Sequence, residues 1–269
     1  YSLNYKENDF SKSQSYKWNT LTADTNFKYL LTNNMHHTFG VGYSLKEYQV
    51  TDTSKATTSI KNSEGTSVSF NISNDLTINT LNSFVKPSSG NYLSFANFLE
   101  TPSSSNNGFI KNTITGKKYY TLNKNIFSAQ AKAGNIFSLN DSEIVSDNKF
   151  SLGGRWLRGF DSFGVGPRNS RTSYVGGNNI LALKLDFSKP ISLNEQNPIY
   201  FNLFNDYGSV WGNKNNVTSS DQDLRVSYGF GINYYSPIGP VGFTWGFPLV
   251  DKDYDIKRMF LFSIGNLNW

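Results

Sequence analysis

Hydrophobic and polar residues alternate along most of this chain with a period of two. In residues 66–73 (TSVSFNIS), Val68, Phe70 and Ile72 interleave with Ser67, Ser69 and Asn71. In residues 180–187 (ILALKLDF), Leu181, Leu183, Leu185 and Phe187 interleave with Ala182, Lys184 and Asp186. In residues 259–264 (MFLFSI), Phe260, Phe262 and Ile264 fall on one face. Successive side chains of a strand point to opposite sides, so this period predicts β-strands with one apolar and one polar face. No amphipathic helix longer than two turns emerges. The runs predict about twelve strands, over 2–9, 18–30, 37–49, 66–81, 90–100, 108–122, 125–138, 175–188, 198–212, 222–236, 240–249 and 257–269. Most reach the roughly 9–11 residues that a tilted strand needs to cross a bilayer, whereas strands of soluble sheets centre on about 5–6.

The connections sort into two kinds that alternate along the chain. Short ones are 31–34 (LTNN), 86–90 (KPSSG), 123–124 and 236–240 (SPIGP); long polar ones are 50–65, 101–107, 139–174 and 213–221. Short turns at one rim and long loops at the other mark an antiparallel transmembrane barrel and have no counterpart in a soluble sandwich. With twelve strands, both chain ends fall on the short-turn side. Tyr119, Tyr120, Tyr234, Tyr235, Trp211 and Trp269 lie near strand ends, where an interfacial girdle is expected.

Composition narrows the reading. Hydrophobic residues make up 37% of the 269 and aromatics 16%. The hydrophobic share is below the usual globular level of about 45–50%, as expected when only one face of each strand meets lipid. With no Cys and only His36 and His37, a structural zinc site, an iron–sulfur cluster or a disulfide framework is excluded. No metal or other cofactor is expected. The formal charge of +5 comes from scattered Lys and Arg with no run longer than a pair, which does not form a nucleic-acid surface. The chain begins at Tyr1 without Met or signal peptide and so reads as a processed or truncated piece.

The longest connection, about 139–174, carries the sequence Leu152-Gly153-Gly154-Arg155-Trp156-Leu157-Arg158-Gly159-Phe160, followed by residues 161–168 (DSFGVGPR). Connections this long are usually functional. Seven glycines lie between Gly153 and Gly177, ends included. Taken by spacing alone, the segment also fits an exposed glycine-rich loop with an incidental arginine. LRGF, then GVGPR, then a strand opened by Gly176-Gly177-Asn178 resembles the BamA family of outer-membrane assembly factors. That family shares a wider superfamily with translocation-assembly and two-partner-secretion transporters. Three later segments extend the resemblance: residues 204–211 (FNDYGSVW), residues 228–240 (YGFG through SPIGP), and the ending 262–269 (FSIGNLNW). The match is specific over about 150–269 and a matter of pattern over 1–149.

The resemblance implies a loop tip, Leu157, Arg158, Gly159 and Phe160, folded back into the barrel lumen. It also implies that Arg158 meets an acidic residue on the wall. Asp206, inward with Asn202 and Phe204, is the preferred partner, and Asp186, inward with Lys184 and Ala182, is the alternative. A buried arginine needs such a partner, and its fork suits a carboxylate. Arg155 and Arg168 are further lumen-facing candidates. The terminal strand would supply Phe260, Phe262, Ile264, Gly265, Leu267 and Trp269 to a lateral gate. Its alternation switches at Gly265-Asn266, which reads either as a bulge or as fraying at the chain end.

The family barrel has sixteen strands after periplasmic POTRA domains. The chain therefore reads as the last twelve strands, residues 1–269, with no POTRA domain; either strand 2–9 closes on strand 257–269 or both edges stay open, and closure is expected if the piece is stable alone. The implied function is assembly and insertion of client outer-membrane proteins in the bacterial outer membrane, with no bond made or broken. The bilayer and lipopolysaccharide are implied surroundings, and partner lipoproteins would dock on the N-terminal domains that this chain lacks. The alternative is a protein-translocating pore of the two-partner-secretion type. A third class, a barrel phospholipase, needs a base and a nucleophile; His36 and His37 follow a short turn, no G-x-S-x-G occurs, and they read as interfacial polar residues.

Overall fold

The computed structural model describes residues 1–11, 15–56, 60, 61, 63–102, 108–140, 144–168, 174–192, 197–212, 222–236 and 239–265. Period-two patterning becomes one antiparallel sheet of twelve strands: β1 (Ser2–Asp9), β2 (Tyr16–Thr32), β3 (Met35–Val50), β4 (Gly65–Asn79), β5 (Gly90–Glu100), β6 (Phe109–Leu122), β7 (Asn125–Ser138), β9 (Asn179–Ser192), β10 (Ile199–Trp211), β11 (Arg225–Ser236), β12 (Gly239–Val250) and β14 (Phe260–Ile264). Neighbours in sequence are neighbours in the sheet. Two short strands, β8 (Gly159–Phe160) and β13 (Lys257–Arg258), pair with each other apart from the main sheet.

Alternation decides which face meets what. On β9, Leu181, Leu183 and Leu185 are exposed on the outer face while Ala182, Lys184, Asp186 and Ser188 are buried on the inner one. On β4, Val68, Phe70 and Ile72 face out, and Ser67, Ser69 and Asn71 face in. The outer face is an apolar and aromatic belt: Trp245 stacks on Phe230 and meets Phe260, and Phe243 meets Phe262, with ring centroids 5.3–5.4 Å apart. Between β1 and β14 the polar backbone is paired strand to strand, as a lipid-spanning sheet requires.

The inner side is packed by the long connection beside β6, β7, β9 and β10, and a cavity of about 830 Å³ remains beside β1–β5. Ile144, Phe150, Leu152, Leu157, Phe160 and Val165 of the connection after β7 pack on Phe109, Ile136, Ile180, Ala182 and Val210 of the wall. The long connection thus lies inside the curved sheet. It spans 139–178, four residues beyond the expected end, because Gly177 bridges to Phe150 and the next strand starts at Asn179, not 175.

Several expectations are corrected. The connection after β4 covers 80–89 and is not a tight turn. Its Lys86 lies over the rings of Tyr200 and Tyr235, 5.3 and 5.6 Å from the centroids, so it folds across the short-turn mouth. Tyr119 and Tyr235 belong to that same inner cluster with Ile126 and Tyr200 and are no girdle residues; Tyr120 faces outward. The Asn123-Lys124 connection is the predicted two-residue hairpin, with φ of 49° and 66° at its two central residues. Residues 257–258 leave the wall, whose last strand begins at Phe260. Among the described residues no ladder joins β1 to β14, so the expected closure of strand 2–9 on the terminal strand is not seen. Trp269, Leu267 and Asn266 lie outside the described residues.

Leu183→Arg on the outer face is expected to lower stability in lipid vesicles by about 2–4 kcal/mol. Thr115→Glu on the inner face of β6 is expected to change it by less than about 1 kcal/mol. Urea unfolding of both variants, followed by tryptophan fluorescence, checks the assignment of faces.

Candidate functional site

The register of the last strands builds a row of inward positions at one height. Asp186 of β9 lies opposite Phe204 of β10, Phe204 opposite Gly229 of β11, and Gly229 opposite Gly246 of β12. Two glycines side by side leave a shallow trough beside an aromatic ring and a carboxylate. A Cβ on Gly229 would come within 2.5 Å of the Phe204 ring, and one on Gly246 within 2.5 Å of the Gly159 nitrogen. The loop tip occupies this trough. Gly159 has φ of 94°, a conformation that disfavours any side chain, and a Cβ there would stand 3.0 Å from the Gly246 backbone.

Arg158 is pinned by four hydrogen bonds. Its Nε donates to Asp206 Oδ2 (2.7 Å), its Nη2 to Asp206 Oδ1 (2.5 Å) and its Nη1 to Asp186 Oδ1 (2.6 Å). The backbone N–H of Arg158 donates to Asp206 Oδ2 as well, at 2.9 Å. The guanidinium carbon sits 3.6 Å from the centroid of the Phe204 ring, within cation–π range. The fork is therefore bidentate to one carboxylate and single to the other, with an aromatic face beneath. The choice between Asp206 and Asp186 resolves into both, with Asp206 the bidentate partner. Burial pulls the Arg158 guanidinium toward its neutral form, and the two carboxylates more than reverse that pull. Lys184, opposite Asp206 in the ladder, is buried on the same face, so two cations and two carboxylates balance. Leu157 and Phe160 flank the arginine and are buried in the apolar cluster of the loop.

Other parts of the loop are fastened too. Asp147 accepts from Lys46 Nζ (2.8 Å) and Tyr48 Oη (3.0 Å) on β3. Lys111 of β6 donates to the Asn148 carbonyl (2.7 Å) and lies over the Phe150 ring. Arg168 is buried and donates to the Phe163 carbonyl, whereas Arg155 is exposed. The loop tip also gains a partner that alternation did not reveal: Gly159 and Phe160 pair with Arg258 and Lys257. A second buried ion pair, Arg225 with Asp255, was equally hidden; the acidic run 251–255 (DKDYD) was its one sequence signal. Phe260, Phe262 and Ile264 all face outward on β14, and Gly265 has φ of 78° where that strand ends. His37 Nδ1 lies 2.5 Å from Tyr29 Oη, with no carboxylate cluster beside it. No group of three or more metal-ligating side chains occurs among the described residues.

The chain has 26% identity to the outer membrane protein assembly factor BamA of Neorickettsia risticii (strain Illinois), over 98% of this chain and 36% of that protein. Identity is also 26% to BamA of Nitratidesulfovibrio vulgaris, over 96% and 32%. A SAM50-like protein of Schizosaccharomyces pombe is 27% identical over 77% of this chain and 46% of its own length. The chain thus spans about a third of the two BamA relatives. Among solved structures, BamA from Haemophilus ducreyi lacking POTRA domains 1–3 superposes with a TM-score of 0.81 at 21% identity, covering 97% of this chain and 56% of that one. CdiB from Acinetobacter baumannii superposes with a TM-score of 0.60 at 15% identity, covering 93% and 42%. The sheet, with its inward loop and outward apolar belt, is thus an antiparallel transmembrane β-barrel fold of the kind seen in BamA. A model of the Omp85 superfamily domain matches residues 1–267, and the chain belongs to that superfamily.

Proposed function

We propose that this chain is the barrel part of an assembly factor that inserts client β-barrel proteins into the bacterial outer membrane. The observation that carries this reading is the inequality of the ladders. β14 is joined to β12 by five residue pairs, 241–245 with 264–260, while β9 and β10 share thirteen and β2 and β3 sixteen. It is the shortest ladder of the sheet among the described residues. A short terminal strand offers backbone donors and acceptors that a client strand can satisfy before it enters lipid. Lipid acyl chains would surround the outer belt, with headgroups and lipopolysaccharide at its rims, and accessory lipoproteins would reach the whole protein elsewhere. No covalent chemistry is involved. In this scheme the Arg158 clamp holds the loop tip against β10–β12, the strands that carry the terminal one, and so sets the geometry of the edge.

Arg158→Ala in the whole protein is expected to slow insertion of a client barrel into liposomes on the order of tenfold, since it leaves two buried carboxylates with Lys184 as the one cation beside them. Arg158→Lys, which keeps the charge but loses the fork, should fall between. Insertion by Arg158→Ala at the wild-type rate would sink the role of the clamp.

The second reading, a translocating pore, sends an unfolded client through the lumen. The loop packing described above occupies the lumen beside β6, β7, β9 and β10, the strands next to the edge, which favours insertion at that edge. Because the chain has no cysteine, cysteines at Lys132 and Trp156, whose side chains meet at 5.3 Å, can be bridged by a short bifunctional reagent to fix the loop to the wall. Client insertion is expected to continue in the bridged protein; its arrest would favour passage through the lumen.

A further inference from the structure

The last wall strand is shorter than its sequence allows. The ladder of β12 and β14 runs from Val241↔Ile264 to Trp245↔Phe260, and one more bond follows, from the Gly246 N–H to the Met259 carbonyl (2.8 Å). Beyond that point the chain turns into the lumen. Lys257 pairs with Phe160 and Arg258 with Gly159; the Asp161 N–H donates to the Ile256 carbonyl (2.9 Å) and the Ile256 N–H to the Gly164 carbonyl (3.0 Å). Arg258 adds an exposed ion pair with Asp161 at 3.3 Å. Continued in the same register, however, β14 would set Arg258 opposite Phe247 and Lys257 opposite Pro248. The same residues thus have two strands on which to dock.

Two features decide between them. Along an antiparallel strand, donors to one neighbour recur at every second residue. After Gly246 the next donor would be residue 248, a proline, which has none. The register of β12 against β11 also shifts there, between Val226 opposite Val250 and Ser227 opposite Pro248. The other feature is the buried pair two residues before Lys257. Arg225, the first residue of β11, holds Asp255 through Nε–Oδ2 (2.8 Å) and Nη2–Oδ1 (3.3 Å) and reaches Tyr254 Oη (3.1 Å). The Lys252 N–H donates to the same carboxylate at 2.9 Å. The two side chains are 1% and 0% exposed, so removing either charge leaves the other buried without it.

We propose that residues 256–259 form a two-position segment: docked on the loop tip in this structure, and zipped onto Phe247 and Pro248 of β12 in the other position. Arg225 is the positioning residue. Acting through Asp255, it holds the docked position, and Pro248 weakens the zipped one. Zipping lengthens the terminal ladder at its long-loop end and uncovers Gly159 and Phe160. It also carries Arg258 to the outer face, which it shares by parity with Phe260 and Phe262, at a rim where an arginine reaches headgroup level. The loop tip and the terminal strand are thereby one coupled unit. The inference goes beyond the assembly reading and does not depend on it.

The absence of cysteine permits a direct test. Asp161→Cys with Ile256→Cys reports the docked position. Phe247→Cys with Arg258→Cys reports the zipped one; as a non-hydrogen-bonded pair its Cα atoms would approach to about 4.5 Å, within disulfide range. Oxidation rates are compared in otherwise native protein, in Asp255→Asn, in Pro248→Ala and in the exchanged pair Arg225→Asp with Asp255→Arg. Asp255→Asn and Pro248→Ala should each speed the zipped disulfide about tenfold or more and slow the docked one, and the exchanged pair should restore the native ratio. Should Asp255→Asn fail to fold, Pro248→Ala, which leaves the Arg225–Asp255 pair in place, decides alone. A zipped disulfide that Pro248→Ala leaves at its native rate overturns the proposal. So does a docked disulfide slowed by Asp255→Asn without a matching gain in the zipped one, because Arg225 would then be only a fastening.

Discussion

One guanidinium withdrawn from bulk water governs this molecule. Arg158 reaches its buried place only because Asp206 and Asp186 stand on the same inner face of adjacent strands. A slip of one residue in either strand would turn a carboxylate toward lipid and leave the arginine facing a leucine or an asparagine. The ion cluster therefore constrains the register of β9 and β10, and that register in turn lines up Phe204, Gly229 and Gly246 as a bed for the loop tip. A buried ion cluster need not add net stability. What it contributes here is selection of a single arrangement among many that would bury similar apolar area.

Much of this was legible in the residues themselves. Leu181, Leu183 and Leu185 against Ala182, Lys184 and Asp186 state two faces without ambiguity, and the parity of Asn202, Phe204 and Asp206 does the same for the next strand. Such information is local, because a strand's face depends only on its neighbours two residues away. The partnership of Arg225 with Asp255 spans 30 residues and leaves no period behind it. The pairing of Lys257 and Arg258 was hidden for another reason. A basic pair just ahead of an apolar run is also what the rim of a wall strand looks like, and only the three-dimensional position of Gly159 tells the two apart. Tyr119 and Tyr235 were misplaced because nearness to a strand end was weighed above parity.

The described part of the connection 139–178 shows how a loop packs one side of a lumen. It carries an apolar set, Phe150, Leu152, Leu157, Phe160 and Val165, that sits on inward apolar residues near the long-loop ends of β6, β7, β9 and β10. Val145 joins a second apolar cluster with Tyr16, Trp18 and Tyr48, and Lys46, Tyr48 and Lys111 tie the loop by hydrogen bonds. The loop is thus a core element that happens to lack regular structure, which is why its end reaches four residues into what alternation alone assigns to the next strand.

The segment 80–89 at the opposite mouth has a consequence of its own. Lys86 over Tyr200 and Tyr235, with Tyr119 and Ile126 beside them, leaves a gap of about 10 Å³, room for about one water molecule. Connecting segments therefore cover inner surface near both rims, one set of residues from the long loop and one from this short segment. Each cover is held by its own side chains, so one can shift while the contacts of the other stay in place.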